Sequence, residues 1–331
     1  MTYLANGGWR SRLLRSVKVK IGLGLLLVLT LLAVAHPILR ATVWDGRDAI
    51  FHPETGHDPA LQHPTGSSPT HWLGTDALGR DVMSALTYSL SPALQVAVLA
   101  AVLVGALALT VGSLAAYFRG WIDTVTTSLG DALTLMPPTI ALLVVGWSRP
   151  TFGVIDAGLL FGVLYGLGPA ALVIRSRALS VAVKPFVDAA RVAGSGARRI
   201  MGVHFLPHLV PYAGIQMMSA GIWALASVAF VQYLGATNRA RVGLGSMIYS
   251  ALDFQPVLPS GYGTFNMGDF GARIGWTSLL AAGLAMSLIS ASFYLLAVGA
   301  RDAIVPHTME ELHGSGVGLE AKSAANQLVS Q

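Results

Sequence analysis

The sequence predicts an all-α protein that crosses a membrane six times. Three observations carry this reading. Of 331 residues, 53% are hydrophobic and only 11% are charged, against about 25% charged residues in soluble domains. The mean hydropathy is +0.62. The apolar residues come in runs that meet the ~20 residues a helical span needs, separated by segments that collect Arg, Asp, Gly and Pro. The chain has no cysteine, which excludes disulfides, thiol catalysis and cysteine-based metal sites. Its net charge of +5 is not a nucleic-acid signal. In a membrane protein the side on which basic residues fall is what matters.

Residues 1–20 form a basic N-terminus with Arg10, Arg12, Arg15, Lys18 and Lys20. The first span covers residues 21–39. A secretory signal cut after Ala33-Val-Ala35 is the competing reading; Pro37 and the continuation to Leu39 favour an uncleaved span. Residues 40–91 read as an outer loop followed by an interfacial helix. In the loop, Asp76, Arg80 and Asp81 are spaced for a local ion pair and a helix cap. Val82 to Phe118 holds no charged residue and exceeds the length of one span. The second span is therefore placed from about Pro92, after the interfacial helix.

Residues 92–304 hold spans two to six. Arg119-Gly-Trp-Ile-Asp123 is a tight turn, and the third span runs from Val125 to Trp147. Pro137-Pro138 interrupts it, a break tolerated in a bilayer only where freed carbonyls face protein or water. The fourth span is Phe152 to Ile174, with Gly162, Gly166 and Gly168 permitting close helix contact. A basic loop follows at 175–211. The fifth span is Tyr212 to Leu234, the second outer loop Gly235 to Trp276, and the sixth span Thr277 to Ala300. The Ser-, Gly- and Ala-rich tail, 305–331, has the composition of a disordered segment.

The loop at 175–211 has internal structure. Pro185 suits a first helical turn, and Asp188 lies where the helix dipole favours a negative charge. Gly194 is a helix stop, since glycine enters the left-handed conformation cheaply. Arg198 and Arg199 begin a second short helix, which Pro207 closes. Asp188-Ala189-Ala190, three residues including Arg191, Gly194, and then Leu206-Pro207 after eleven more resemble the EAA loop of ABC importer permeases. His71-Trp-Leu-Gly-Thr-Asp-Ala-Leu-Gly-Arg-Asp-Val82 is similar to the segment before the second span in the dipeptide, oligopeptide and nickel permeases. Arg301-Asp-Ala-Ile304 resembles the end of that family's last span. Asp188 stands for the family's Glu, and His204 for its usual Ile. The second outer loop departs from the family pattern, with Leu244 in place of Trp.

The resemblance implies a type I ABC importer permease in a bacterial cytoplasmic membrane, with both termini inside and lipid around it. Asp188, Ala189, Ala190, Arg191, Gly194, Leu206 and Pro207 would form the coupling segment that docks on an ATPase. The implied partners are a second homologous permease, two ABC ATPases and an extracytoplasmic substrate-binding protein. Pro137 and Pro138 are candidates for the translocation path. The substrate class so implied is di- or oligopeptides; nickel or another small solute is the alternative within the family. A stand-alone secondary transporter or channel is the alternative outside it.

The remaining chemistry is sparse. None of the four lysines follows a glycine, so the chain lacks a P-loop. ATP and Mg²⁺ would belong to partner subunits, and this chain would be no enzyme. His52, His57, His63 and His71, with Asp45, Asp48, Glu54 and Asp58, match no tight metal-ligand spacing and read as a solvated loop. His204 and His208 are four apart, but Pro207 disturbs the helix between them. No Ser/His/Asp triad or carboxylate pair sits in a span, and ionisable residues there are few, which argues against a hydrolase and a proton relay. Proposed inside segments hold 14 Arg and Lys residues and outside segments 7, which sets both termini inside. Tags at both ends should therefore be cytoplasmic and a probe at Gly56 extracytoplasmic. Processing after Ala35 would refute the six-span arrangement.

Overall fold

The computed structural model describes residues 8–61, 65–76, 78–237, 242–252 and 276–304. The tail at 305–331, most of the second outer loop and His63 lie outside these residues. The elements within them are all helical. Helices α1 (Gly8–Arg15), α2 (Val17–Thr42) and α3 (Asp48–Phe51) precede a long α4 (Val82–Phe118). Helices α5 (Gly120–Leu135) and α6 (Pro138–Ser148) follow, then α7 (Val154–Tyr165) and α8 (Ala171–Ala182). After α9 (Pro185–Val192) and α10 (Ala197–Arg199) come α11 (Leu206–Tyr233), α12 (Leu244–Leu252) and α13 (Trp276–Ile304). Among the described residues, five helical stretches are long and apolar enough to cross a membrane. Counting the bent α5–α6 pair as one span makes six.

The centre of the bundle is α4. It packs against α2, α7, α8 and α11, and Ala97, Ala100, Val104, Ala108, Ala115 and Ala116 are sealed from solvent. Small side chains on several faces let four helices approach one axis closely. This corrects the sequence reading around Pro92. No interfacial helix precedes a separate span: α4 is one helix of 37 residues with Pro92 inside it, about 55 Å long at 1.5 Å per residue. Proline removes one hydrogen bond, and packing on both sides holds the helix through the gap. Helices α7 and α8 likewise form one span, joined by a π-helical stretch at Gly166–Ala170 that bends at Gly168 and Pro169. The expected close contacts are present: a Cβ on Gly162 would lie 2.9 Å from Leu103, and one on Gly168 3.0 Å from Leu133.

The two outermost helices, α2 and α13, pack on each other and on the centre. Their ends meet where Lys18 Nζ lies 2.7 Å from Asp302 Oδ2. The start of α2 and the end of α13 are therefore on the same side of the bundle. An apolar cavity of about 440 Å³ between Leu13, Val19, Leu109, Pro211, Met217 and Ala300 adds α1 and the start of α11 to that side. The helix α2 runs unbroken through Ala35 and Pro37, with Leu29 and Ala33 in the same core cluster as Val82 and Ile289.

The described residues of 43–81 cap the opposite side, and the residues that the spacing indicates hold them there. Asp76 accepts hydrogen bonds from the backbone N–H groups of Leu78 and Arg80 at 3.0 and 2.8 Å. Its carboxylate is 2.6 Å from the Arg80 guanidinium. Asp81 caps α4, accepting from the Ser84 N–H at 2.7 Å. The solvated-loop reading fails at His71, which is fully buried. Its Nδ1 lies 2.8 Å from Asp81 and its Nε2 3.2 Å from Asp58. Phe51 packs against the His71 ring at 5.4 Å and stacks on Trp44 at 5.5 Å. Burial pushes the Asp81 carboxyl up from its ordinary range, against the pull of the Ser84 N–H and His71. Gly56 is also buried, and a Cβ there would fall 2.3 Å from the Ile50 carbonyl oxygen. The topology probe therefore belongs at exposed Ala60.

His71 ties two carboxylates to the start of α4, so its removal leaves Asp81 buried with one partner fewer. His71→Ala should cost about 1–3 kcal/mol. It should lower the thermal midpoint of the detergent-solubilised protein and open the 43–81 segment to protease before the spans. An unchanged midpoint and digestion pattern would remove this role.

Candidate functional site

The segment between the fourth and fifth spans is shorter than its charges implied. Residues 175–182 belong to α8, and Leu206 already starts α11. What connects them is Val183–Phe205, built as α9, a turn, α10, and a π-helical stretch at Ile200–Phe205 that runs into α11. Pro207 does not close a short helix. It is the second residue of α11, in a helical path that continues from Ile200–Phe205.

Helix α9 starts at Pro185 and has one face against the bundle. Val187 is fully buried, and the half-buried Phe186 stacks on His208 at 5.0 Å. The opposite face carries Asp188 and Ala189, both exposed, with Ala190 at the edge and Arg191 in the same turn. The helix ends as a glycine stop should. Gly194 has φ +74°, and the Ser195 N–H donates to the Ala190 carbonyl at 3.0 Å, the closing bond of a Schellman turn. A Cβ on Gly194 would meet nothing within 4 Å. Glycine is required there by backbone angle and not by crowding.

Downstream, Ile200, Phe205 and Leu209 are buried, and Tyr117 packs edge-on against Phe205 at 5.8 Å. The segment thus has an anchored apolar underside and a free outer surface. That surface offers small side chains at Ala189 and Ala193, Val192 at 90% exposure, and the two guanidinium groups of Arg198 and Arg199. A protruding helix end with small and apolar exposed residues can enter a groove on another protein. Asp188, Ala189, Ala190 and Gly194 come together on this surface, and Arg191 follows Ala190 along the same helix. Leu206, half-buried, and Pro207, exposed, sit apart at the root of α11, where the segment joins a membrane helix.

Pro137 and Pro138 are elsewhere, at the junction of α5 and α6, where Pro138 is the first residue of α6 and the two axes differ by 74°. Met136 leaves the helix at φ −92°, ψ 110°. Neither proline has an N–H, so the carbonyls of Leu133 and Thr134 lose their helical partners. Pro137 is exposed and Pro138 half-buried. The bend is held on the bundle side, where Thr139 Oγ1 lies 2.9 Å from Ser227 Oγ on α11.

Two features escaped the sequence reading. Arg175, assigned to the basic loop, is in α8, where its Nη2 donates to Asp123 Oδ2 at 2.7 Å and its Nε to the same carboxylate. This two-pronged pair ties α5 to the helix that leads into α9. The second is Asp131, an exposed carboxylate inside the third span. The recurrence of Thr124, Ser128 and Asp131 at helical spacing was its available signal.

Comparison with known proteins bears on the whole arrangement. The family described as "Binding-protein-dependent transport system inner membrane component" matches residues 108–309, a stretch that runs from the second half of α4 past the end of α13. The oligopeptide transport system permease protein OppC of Mycobacterium tuberculosis H37Rv is 29% identical over 238 residues, covering 71% of this chain and 74% of its own length. The dipeptide transport system permease protein DppC of Alkalihalophilus pseudofirmus is 26% identical over 312 residues, 92% of this chain and 91% of its own. A putative peptide transport system permease of Brucella suis biovar 1 is 26% identical over 301 residues, 91% of each chain. With the α9 segment inside the matched stretch and most of the chain covered, this polytopic helical protein belongs to the binding-protein-dependent transport system inner membrane components.

Proposed function

We propose that the chain is a transmembrane permease subunit of an ATP-driven importer that moves di- or oligopeptides across the bacterial cytoplasmic membrane. The observation that carries this reading is the α9 segment. It is fixed to the spans beneath and presents a small, exposed helix end above, in a chain whose relatives are named as peptide permeases. In this reading Asp188, Ala189, Ala190, Arg191 and Gly194 dock on an ATPase subunit, and Leu206 and Pro207 pass the movement into α11. The assembly contains a second homologous permease, two ATPases that bind ATP and Mg²⁺, and an extracytoplasmic binding protein. Both termini face the cytoplasm, in keeping with the meeting of Lys18 and Asp302 on one side.

Transport by alternating access needs a rigid path from the docking segment to the substrate route. Two paths leave it: α8 to α5 through the Arg175–Asp123 pair, and α11 to α6 through Thr139 and Ser227. Both converge on the Pro137–Pro138 bend, which in this reading borders the route.

The purified complex should carry ATPase subunits and hydrolyse ATP faster when the loaded binding protein is added. Gly194→Val forces a β-branched residue to positive φ and should cost about 1–2 kcal/mol within the docking turn alone. This variant should insert and pair with the second permease, yet lose uptake and the stimulation of hydrolysis. Gly194→Asn tolerates that conformation and should keep most of both. Normal uptake by Gly194→Val would reject the docking role, and failure to insert would make the turn a folding element.

A further inference from the structure

The helix α1 does not prolong the first span. Ser16, between α1 and α2, has φ −62° and ψ 123°, and this extended residue turns the chain from one helix into the other. Helix α1 packs against α2 and α13. It carries Arg10, Arg12 and Arg15 beside Leu13 and Leu14, and no acid. Leu14 is 66% exposed. A short basic helix with apolar side chains lies at the surface of a bilayer, its cations toward the headgroups. Asp302 is the only acid in α1, α2 and α13, and Lys18 engages it. Arg15, Lys20 and Arg301, all exposed, and the half-buried Arg12 gather at the same end of the bundle.

Leu13 of α1 also covers one end of the apolar cavity of about 440 Å³, whose other walls are α2, α4, α11 and α13. The cavity is a groove that opens sideways. Val102 and Val210 on its lining are exposed by 53% and 39%, whereas Val19 and Ala213 are buried. Along α11 the lining spans residues 210–218, about 12 Å at 1.5 Å per residue. That is most of the ~15 Å that one leaflet contributes to a ~30 Å hydrocarbon core. Every lining side chain is apolar, so water finds no partner there, and an unfilled groove forfeits dispersion contacts. Gly214 opens into this space, since a Cβ there would meet nothing within 4 Å. Met217 and Met218 on the same wall adapt to a flexible occupant. A helix from a partner would match the apolar wall but not the cations at its mouth. A lipid with an anionic head matches both.

We propose that this groove holds an acyl chain of an anionic glycerophospholipid, with the phosphate and headgroup set among Arg12, Arg15, Lys20 and Arg301. Guanidinium and ammonium groups at the mouth supply charge-assisted hydrogen bonds to phosphate oxygens, and basic pockets between membrane helices suit such heads. The chain fills the space between the start of α11 and the ends of α2 and α13, and joins α1 to them. The site depends on neither the transported solute nor the ATPase. Under the orientation proposed above the lipid comes from the inner leaflet; the binding itself holds for either orientation.

The test uses the protein purified from native membranes with its partners and stripped of lipid by detergent exchange. The probes are dioleoyl-phosphatidylglycerol and dioleoyl-phosphatidylcholine, which share acyl chains and differ in head charge. A phosphatidylglycerol with a photoactivated diazirine in its acyl chain should label residues 210–218. Unlabelled phosphatidylglycerol should compete for that site better than phosphatidylcholine. Arg15→Gln and Lys20→Gln should each weaken its competition about five-fold, equal to ~1 kcal/mol, the size of one cation near an anionic membrane surface. Neither should change competition by phosphatidylcholine. Gly214→Leu puts a side chain into the groove and raises helix propensity, so the protein should assemble and lose the labelling, while Gly214→Ala keeps it. Equal competition by the two lipids, absence of label at 210–218, or native labelling of Gly214→Leu would overturn the proposal. If a variant fails to assemble, labelling and competition on the native protein decide alone. Because the chain has no cysteine, Gly214→Cys can also be crosslinked singly. An adduct with the second permease, with another copy of this chain or with its own residues 305–331 would put protein in the groove and overturn the proposal as well.

Discussion

Inside a bilayer the backbone has no water to bond with, and that constraint shapes this molecule more than any single contact. Helices satisfy it span by span among the described residues, though the fourth span is itself kinked at Gly168 and Pro169. Pro92 sits within α4 and Pro211 within α11, yet both helices continue, because close neighbours shield the gap each proline leaves. The sharpest break is at the α5–α6 pair. Two consecutive prolines leave adjacent carbonyls without donors, and the chain turns by 74°. An opening of this kind persists only against protein or water, so it marks where the bundle stops being a scaffold. The bend and the ties that hold it belong to one region for that reason.

The rigidity that surrounds the bend comes from small residues and few polar links. Alanines on α4 let the other helices converge on it, so a displacement at one end is carried as movement of whole helices and not absorbed by loose packing. The Arg175–Asp123 pair then fixes α5 to α8, and Thr139 with Ser227 fixes α6 to α11. The segment at 183–205 is continuous with both α8 and α11. In the importer reading an ATPase that moves α9 moves two helices at once, and each holds one side of the bend. Alternating access requires this arrangement: a stiff input, a stiff body and one place where the chain can yield.

Local features were legible from the sequence, and features that depend on distant partners were not. Asp81 as a cap, Asp76 with Arg80, Pro185 as a helix start and Gly194 as its stop each involve neighbours within a few residues. Spacing and backbone preference define them before the chain folds. His71 looked like one histidine among several in a polar loop, because its burial depends on Asp58 and Phe51, far along the chain. Arg175 looked like a loop cation, because Asp123, 52 residues away, converts it into a membrane-side ion pair. The continuity of α4 through Pro92 depends on the helices packed around it, which no local rule supplies. Asp131 was different: its spacing with Thr124 and Ser128 was visible, but a lone acid in an apolar run reads as noise until its exposure is known.

The central claim is that the outer surface of α9 meets an ATPase, and proximity tests it without relying on transport. Ala189 and Ala60 are both exposed, one on α9 and the other in the 43–81 cap, and the chain has no cysteine of its own. Each can be made the single cysteine of the chain in native membranes and reacted with a short photoactivated crosslinker. The account predicts an adduct between position 189 and the ATPase subunit and none between position 60 and that subunit. An assembled, ATP-hydrolysing complex in which position 189 gives no ATPase adduct would contradict it.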